Sequence, residues 1–382
     1  MMTMSATPGR NAGIDVLRGL SIVLVVIHHM AIRIPLARTG LADILPLPVL
    51  NALARNGQTA VTMFFVISGF LITGTTLRRW GSLSAVSPVA FSRRRAARIM
   101  PCLLVLIVLL SILDLLHIPD YTITHKDQTL PRAIFSAFAM HLNWYEARTG
   151  YLPGGWDVLW SLSIEELFYC LFPVACLTGA WFPRLLPAFC AALALSLPIL
   201  LNSLSSASEI WQDKAYLPGM ATIATGICAA LIASRMSPET GRQLRAPLGI
   251  IGSLTLAVCL IWHHTLWVAL GNSISLLLTF SVAALLIAFH QGWVENRIGR
   301  GTGWLRSFGK MSYEVYLSHM FIVFPAIALF HRTGGDIRTG WLWFIPVLAL
   351  SWCLGRAVYL GLSRPADKWF LKQARPVIHA PA

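Results

Sequence analysis

Apolar and polar positions in this chain separate into long apolar stretches divided by short polar gaps. A helix needs about 20 apolar residues to cross a bilayer. Runs of that order fall near 14–34, 58–77, 100–118, 156–178, 184–202, 215–234, 247–264, 271–290, 308–330 and 341–362. The pattern therefore predicts an all-α integral membrane protein with about ten transmembrane helices. An eleventh run, "LPRAIFSAFAMHLNWY" at 130–145, is short for a crossing and is expected to be one extra re-entrant or interfacial helix. No polar stretch is long enough for a soluble domain, so residues 1–382 read as one membrane domain, with a lead-in at 1–12 and a tail at 364–382.

Composition agrees with that pattern: 56% of residues are hydrophobic and only 12% are charged, against about 25% in soluble domains. The net charge of +14 raises nucleic acid as a partner. The basic residues nevertheless flank the apolar runs, as topology signals do, and nucleic acid is not expected. Arg78, Arg79, Arg93, Arg94, Arg95 and Arg98 crowd one gap; Arg235, Arg242 and Arg245 another; Arg297, Arg300, Arg306 and Lys310 a third; Arg364, Lys368, Lys372 and Arg375 the tail. All four clusters lie in the cytosol only if 130–145 does not cross, which places both termini there as well. The seven cysteines are scattered through apolar runs without metal-ligand or disulfide spacing and read as small core residues, and no metal is expected.

Against this background the polar residues inside the spans carry the candidate chemistry, because a charge at bilayer depth is costly and is kept for pairing or use. His29, Glu165 and His319 stand on three different spans and, with both termini cytosolic, at a common depth near the midplane. A general base, an acid and an orienting carboxylate would need that arrangement. Each also has a structural reading: a histidine bonded to a neighbouring helix, or a glutamate paired with His29 or Arg356. At 100° per residue Arg18 and His29 share one face of the first span, with His28 turned away. Ser161, Glu165 and Tyr169 form an i, i+4, i+8 stripe, and Ser312 lies seven residues before His319 on nearly the same face. Arg95 and Arg98, at i, i+3, can close on one anion such as a phosphate, or can anchor the inner leaflet.

These same residues lie in "IDVLRGLSIVLVVIHH", "FFVISGFLIT", "RRRAARIMP", "WSLSIEELFY" and "SYEVYLSH", which in order and spacing resemble the motifs of the acyltransferase-3 family of bacterial membrane O-acyltransferases. The resemblance covers nearly the whole chain. It implies a protein of the bacterial cytoplasmic (inner) membrane that moves an acyl group, usually acetyl, from cytosolic acyl-CoA to a hydroxyl. The implied acceptor is a cell-envelope carbohydrate, a lipid-linked glycan or an exported small molecule. Motif by motif, the family's intramembrane histidine falls on His29, its first-span arginine on Arg18, its RxxR pair on Arg95 and Arg98, and its glutamate on Glu165. His29 would act as general base or as a transient acyl carrier, and Glu165 would orient or balance it. Val16 stands where the family commonly has glycine, Leu167 where glutamine often follows the two glutamates, and "LPGMATIATGICAAL" at 217–231 lacks charges common ahead of its glycine. The competing class is a proton-coupled transporter or flippase of a polar lipid or glycan precursor, using the same histidines and glutamate as a proton relay.

Overall fold

The structure, a computed structural model, describes residues 10–294 and 301–372. Arg297, Arg300 and Arg375, with most of the lead-in and the last part of the tail, lie outside the described residues. Every regular element among the described residues is helical. Among the described residues eight helices are long and apolar enough to span, or up to ten if each of two bent pairs, 185–203 and 312–332, forms one span. These ten correspond one to one with the apolar runs.

The elements that build the site are α1 (Ala12–Ala31), α2 (Gly57–Trp80), α3 (Pro88–Leu115), α4 (Leu130–Phe138), α5 (Leu142–Thr149), α6 (Trp160–Trp181), α7 (Tyr216–Arg235), α8 (Ser312–Ser318) and α9 (Met320–Arg332). The 130–145 run is two short helices, α4 and α5, broken at Ala139–His141 with Met140 at φ 59. A left-handed residue of that kind cannot continue a helix, so the segment makes no single crossing. The first helix starts at the Asn11 cap, whose side chain accepts from Gly13 and Ile14 N–H, and stops three residues before the expected end of its run. Arg33 and Pro35 follow directly, and neither suits a continued apolar helix. His29 therefore lies in the last turn of α1, about 26 Å from Ala12 at 1.5 Å per residue. That is deeper into the chain's crossing than the midplane expected from the run.

α2 runs back antiparallel to α1. The His28 ring lies where a Cβ on Gly57 would be, 2.3 Å from that position, so the end of α1 and the start of α2 touch. α2 is held on its other side by α7 through small residues. A Cβ on Gly69 would stand 2.1 Å from Ile223 O, and one on Gly226 2.0 Å from Val66 O. Only glycine lets two helix backbones approach so closely, the packing mode membrane helices use where apolar burial gives little drive for association. α8 and α9 bend by 46° at His319, so the residue at the bend is turned toward α1.

Candidate active site

Two of the three sequence candidates meet directly. His319 Nε2 lies 3.2 Å from His29 Nδ1, with ring centroids 4.9 Å apart. His319 is fully buried and its Nδ1 lies 2.7 Å from Tyr316 O, while His29 Nδ1 also lies 2.9 Å from Val25 O. A carbonyl only accepts, so His319 carries its proton on Nδ1 and presents a lone pair at Nε2. That lone pair in turn requires a proton on His29 Nδ1, which Val25 O also accepts. The neutral tautomers are thereby set, and the lone pair of His29 is left on Nε2, which has no protein partner among the described residues. His28 is bonded through Nδ1 to Ala54 O, just ahead of α2, at 2.9 Å, and its ring packs on Gly57 of α2.

The arginines gather at the other end of α1. A cavity of about 330 Å³ is lined there by Arg10, Arg18, Arg95 and Arg98 and, deeper, by Glu165, Tyr169, Ser161 and Tyr316. Along α2 its lining runs from Thr75 up to Val61, about 21 Å of helix. Arg18 Nη2 donates to Ser312 Oγ at 2.8 Å, so the first residue of α8 holds Arg18 and the bend residue after it, His319, holds His29 two helical turns on. Arg95 stacks over the Tyr169 ring at 5.2 Å. The deep end stops at Tyr316, whose hydroxyl bonds Ser161 Oγ at 2.8 Å and Val158 O at 2.9 Å and whose ring lies 6.0 Å from that of His319. One aromatic ring therefore separates the cavity from the histidine pair.

Glu165 stands apart from that pair. Its Oε2 accepts from Tyr169 O–H at 2.9 Å, and Tyr169 O–H is also 3.4 Å from Ser68 Oγ. It bonds neither His29 nor Arg356, which is exposed and stacks on Trp352. The expected stripe Ser161–Glu165–Tyr169 does face one cavity, and what it orients there is Tyr169 and the Arg95 guanidinium above it. Glu166, one residue on, is buried with Oε1 unpartnered among the described residues.

Two parts of the site carry no local sequence signal: Tyr316, an aromatic residue within an apolar run, and a charge cluster at the histidine end. Lys214 Nζ donates to Glu146 Oε2 at 2.8 Å and to Asp157, and Glu146 Oε1 accepts from Leu152 N at 3.1 Å. Burial, with Asp157 alongside, raises the Glu146 carboxyl well above the ordinary carboxylate range, and Lys214 opposes this. The cluster ties α5, the turn at 154–157 and the segment leading into α7 into one unit. Among the described residues no group of His, Cys, Asp or Glu is arranged to hold a metal ion.

Comparison with known proteins gives a relation to this geometry. The chain is 26% identical over 262 residues to the peptidoglycan O-acetyltransferase OatA of Listeria monocytogenes, an alignment covering 64% of this chain and 38% of that protein. It is 29% identical over 168 residues to the O-acetyltransferase OatA of Staphylococcus aureus strain NCTC 8325, covering 42% of this chain and 24% of that protein. A third relative, from Staphylococcus aureus strain COL, is 24% identical over 331 residues, 81% of this chain and 50% of its own length. The chain thus spans half or less of the length of these relatives. No solved structure matches. Residues 11–359, which hold the histidine pair, Arg18, Arg95 and Arg98, match the acyltransferase domain of the Acyl_transf_3 family, and the chain belongs to that family.

Proposed function

We propose that this chain is an O-acetyltransferase that takes its acyl group from acyl-CoA and delivers it to a carbohydrate hydroxyl, with His29 as general base. The observation that carries the reading is a cavity running from a cluster of arginines to within one ring of His319, which in turn holds His29 with its free lone pair on Nε2. Acyl-CoA is a long, narrow thioester with phosphates at one end. Arg18, Arg95 and Arg98 suit those phosphates, since guanidinium groups bind them as forks and stay charged. The acyl-pantetheine arm would lie along α2 toward Tyr316, bringing the thioester to the histidine end.

In the reaction the acceptor oxygen attacks the thioester carbonyl carbon while His29 Nε2 takes the hydroxyl proton. The C–S bond breaks, and the same proton passes from His29 to the departing CoA sulfur, leaving an O-acyl ester and free CoA thiol. His319 holds the Nδ1 side of His29 and stabilises the positive charge that forms there. Glu165 acts at the donor end, holding Tyr169 beneath Arg95. Arg78, Arg79 and the α3 arginines stand at the donor end, and by the positive-inside rule they support a cytosolic donor end in a bacterial cytoplasmic membrane. The O-acetyltransferase relatives and the family match support the reaction class.

The test is acetyl-CoA consumption by the purified chain reconstituted with host membrane lipids and glycan. Acceptor-dependent release of CoA thiol, one per O-acetyl group formed, is expected. Transport of a labelled lipid or glycan without CoA release would instead make the buried histidines a proton relay.

A further inference from the structure

A second cavity, of about 230 Å³, lies on the opposite side of α2 and α6 from the first. α2 gives it Gln58, Thr62 and Phe65, and α6 gives it Trp160 and Ile164, whereas Ser68, Ile72 and Thr75 of α2 line only the first cavity. The second cavity is therefore placed toward the start of α2, the end where His28 packs on Gly57, and away from the arginines. Phe65 lines both cavities, and its ring meets Trp160 edge-on at 6.2 Å.

The chemistry of this cavity is the reverse of the first. No Lys or Arg lines it; its one imidazole is His263, and the Asn272 amide nitrogen is already spent on Asn202 Oδ1 at 2.7 Å. Gln58 Nε2 is committed to Asp213 O at 2.6 Å and Gln212 Nε2 to Ala207 O at 2.9 Å. A backbone carbonyl fixes each amide orientation, so the two amide oxygens remain as acceptors. The Asp213 carboxylate, in the same lining, has no protein donor among the described residues. Trp160, buried at 6% exposure, and Trp267, open at 52%, add aromatic surface. An acceptor-rich, uncharged-to-acidic site with aromatic walls selects a ligand that is rich in O–H donors and has apolar C–H faces, and it disfavours phosphate. Lys214, next to Asp213, is turned away into the Glu146–Asp157 cluster, which holds this wall of the cavity in place.

Resting on the acyltransferase reading above, we propose that this second cavity binds the acceptor as a polyhydroxylated sugar unit, with Gln58, Gln212 and Asp213 accepting from its hydroxyls and Trp267 covering one face. Donor and acceptor would then enter from opposite ends of α2, parted by Phe65. The experiment uses host membrane vesicles carrying the native acceptor and radiolabelled acetyl-CoA, with the full chain as Asp213→Asn, Trp267→Ala and the double variant. Each single change is expected to lower transfer to the glycan fraction at limiting acceptor about tenfold, and the double about a hundredfold, while acetyl-CoA affinity of the purified protein stays within twofold. Transfer within twofold of the parent in the double variant would overturn the proposal, as would an equal loss of acetyl-CoA affinity, which would mark a folding role. If the parent itself transfers nothing, the acyltransferase reading fails separately, and the cavity is read by binding alone. Chitotetraose is then titrated into the protein in nanodiscs, following tryptophan emission. Saturable quenching that Trp267→Phe removes and Asp213→Asn weakens about tenfold sustains a sugar site; its absence, or its loss in Arg95→Ala instead, overturns it.

Discussion

His319→Ala separates a positioning role from a catalytic one. His319 is fully buried and accepts from His29 Nδ1 at 3.2 Å, but Val25 O lies nearer, at 2.9 Å, and would remain. Removing His319 therefore leaves His29 in the same tautomer with one acceptor in place of two. The loss appears mainly when His29 becomes an imidazolium. A hydrogen bond to a charged group nets about 1.5–3 kcal/mol against about 0.5–1.5 for a neutral one, a difference of about 1–1.5 kcal/mol. At about 1.4 kcal/mol per decade, kcat should fall roughly tenfold. Deleting the general base itself should cost about 10²–10⁴-fold. The Ala variant also leaves a hole in a buried site, at a stability cost of about 2–5 kcal/mol. His319→Gln is the necessary companion, since it restores volume and offers an amide oxygen where Nε2 stood. In proteoliposomes with labelled acetyl-CoA, His319→Ala should lose about tenfold in kcat with KM for acetyl-CoA unchanged, and His319→Gln should recover most of it. A loss above a thousandfold in both variants would make His319 the base. Unchanged kcat in both would mean that the histidine contact does not couple to the reaction.

The remaining expectations address other parts of the site. Arg95→Ala and Arg98→Ala should each weaken acetyl-CoA binding about ten- to a hundredfold, with lysine rescuing only in part, while Arg78→Ala changes it little; equal losses in all three would mean diffuse electrostatics. Glu165→Gln should act at the donor end, raising KM for acetyl-CoA several-fold with little change in kcat, because its bond is to Tyr169 beneath Arg95; a pure kcat loss would return Glu165 to the histidines. Lys214→Met strands the buried Glu146 and the half-buried Asp157, and breaking such a cluster costs about 3–5 kcal/mol, so thermal stability in detergent should drop sharply; an unchanged melting curve would contradict the burial argument. Single cysteines at Ser84 and Ser206, both exposed, should label from opposite sides of intact cells.

Much of this architecture was legible because bilayer burial writes itself into composition: the ten apolar runs correspond to eight long helices and two bent helix pairs. The two histidines stood out for the same reason, since histidines in apolar spans need partners, but that they partner each other across 290 residues shows only in the packing. What sequence could not show was which way a residue turns once helices pack. Glu165 was expected at the histidines, but the rotation of α6 turns it toward Tyr169. The depth of His29 was misjudged because hydropathy does not see where Arg33 and Pro35 stop a helix. Lys214, in "WQDK", reads as a loop charge; its burial depends on carboxylates 57 and 68 positions earlier, which no local pattern reveals. The 130–145 run hid a break because Met140 is an ordinary helix former, and the tertiary bond to its left-handed backbone comes from Tyr216 O–H, 76 positions away.

The central claim is that His29 Nε2 removes the acceptor proton during transfer from acyl-CoA. Its most direct measurement is the single-turnover rate of acetyl transfer to glycan by His29→Ala, in the reconstituted protein with acetyl-CoA saturating and its binding measured in parallel. The account predicts a rate about 10²–10⁴-fold below the parent with acetyl-CoA affinity intact. Transfer at the parent's rate, with the donor bound equally well, would contradict it.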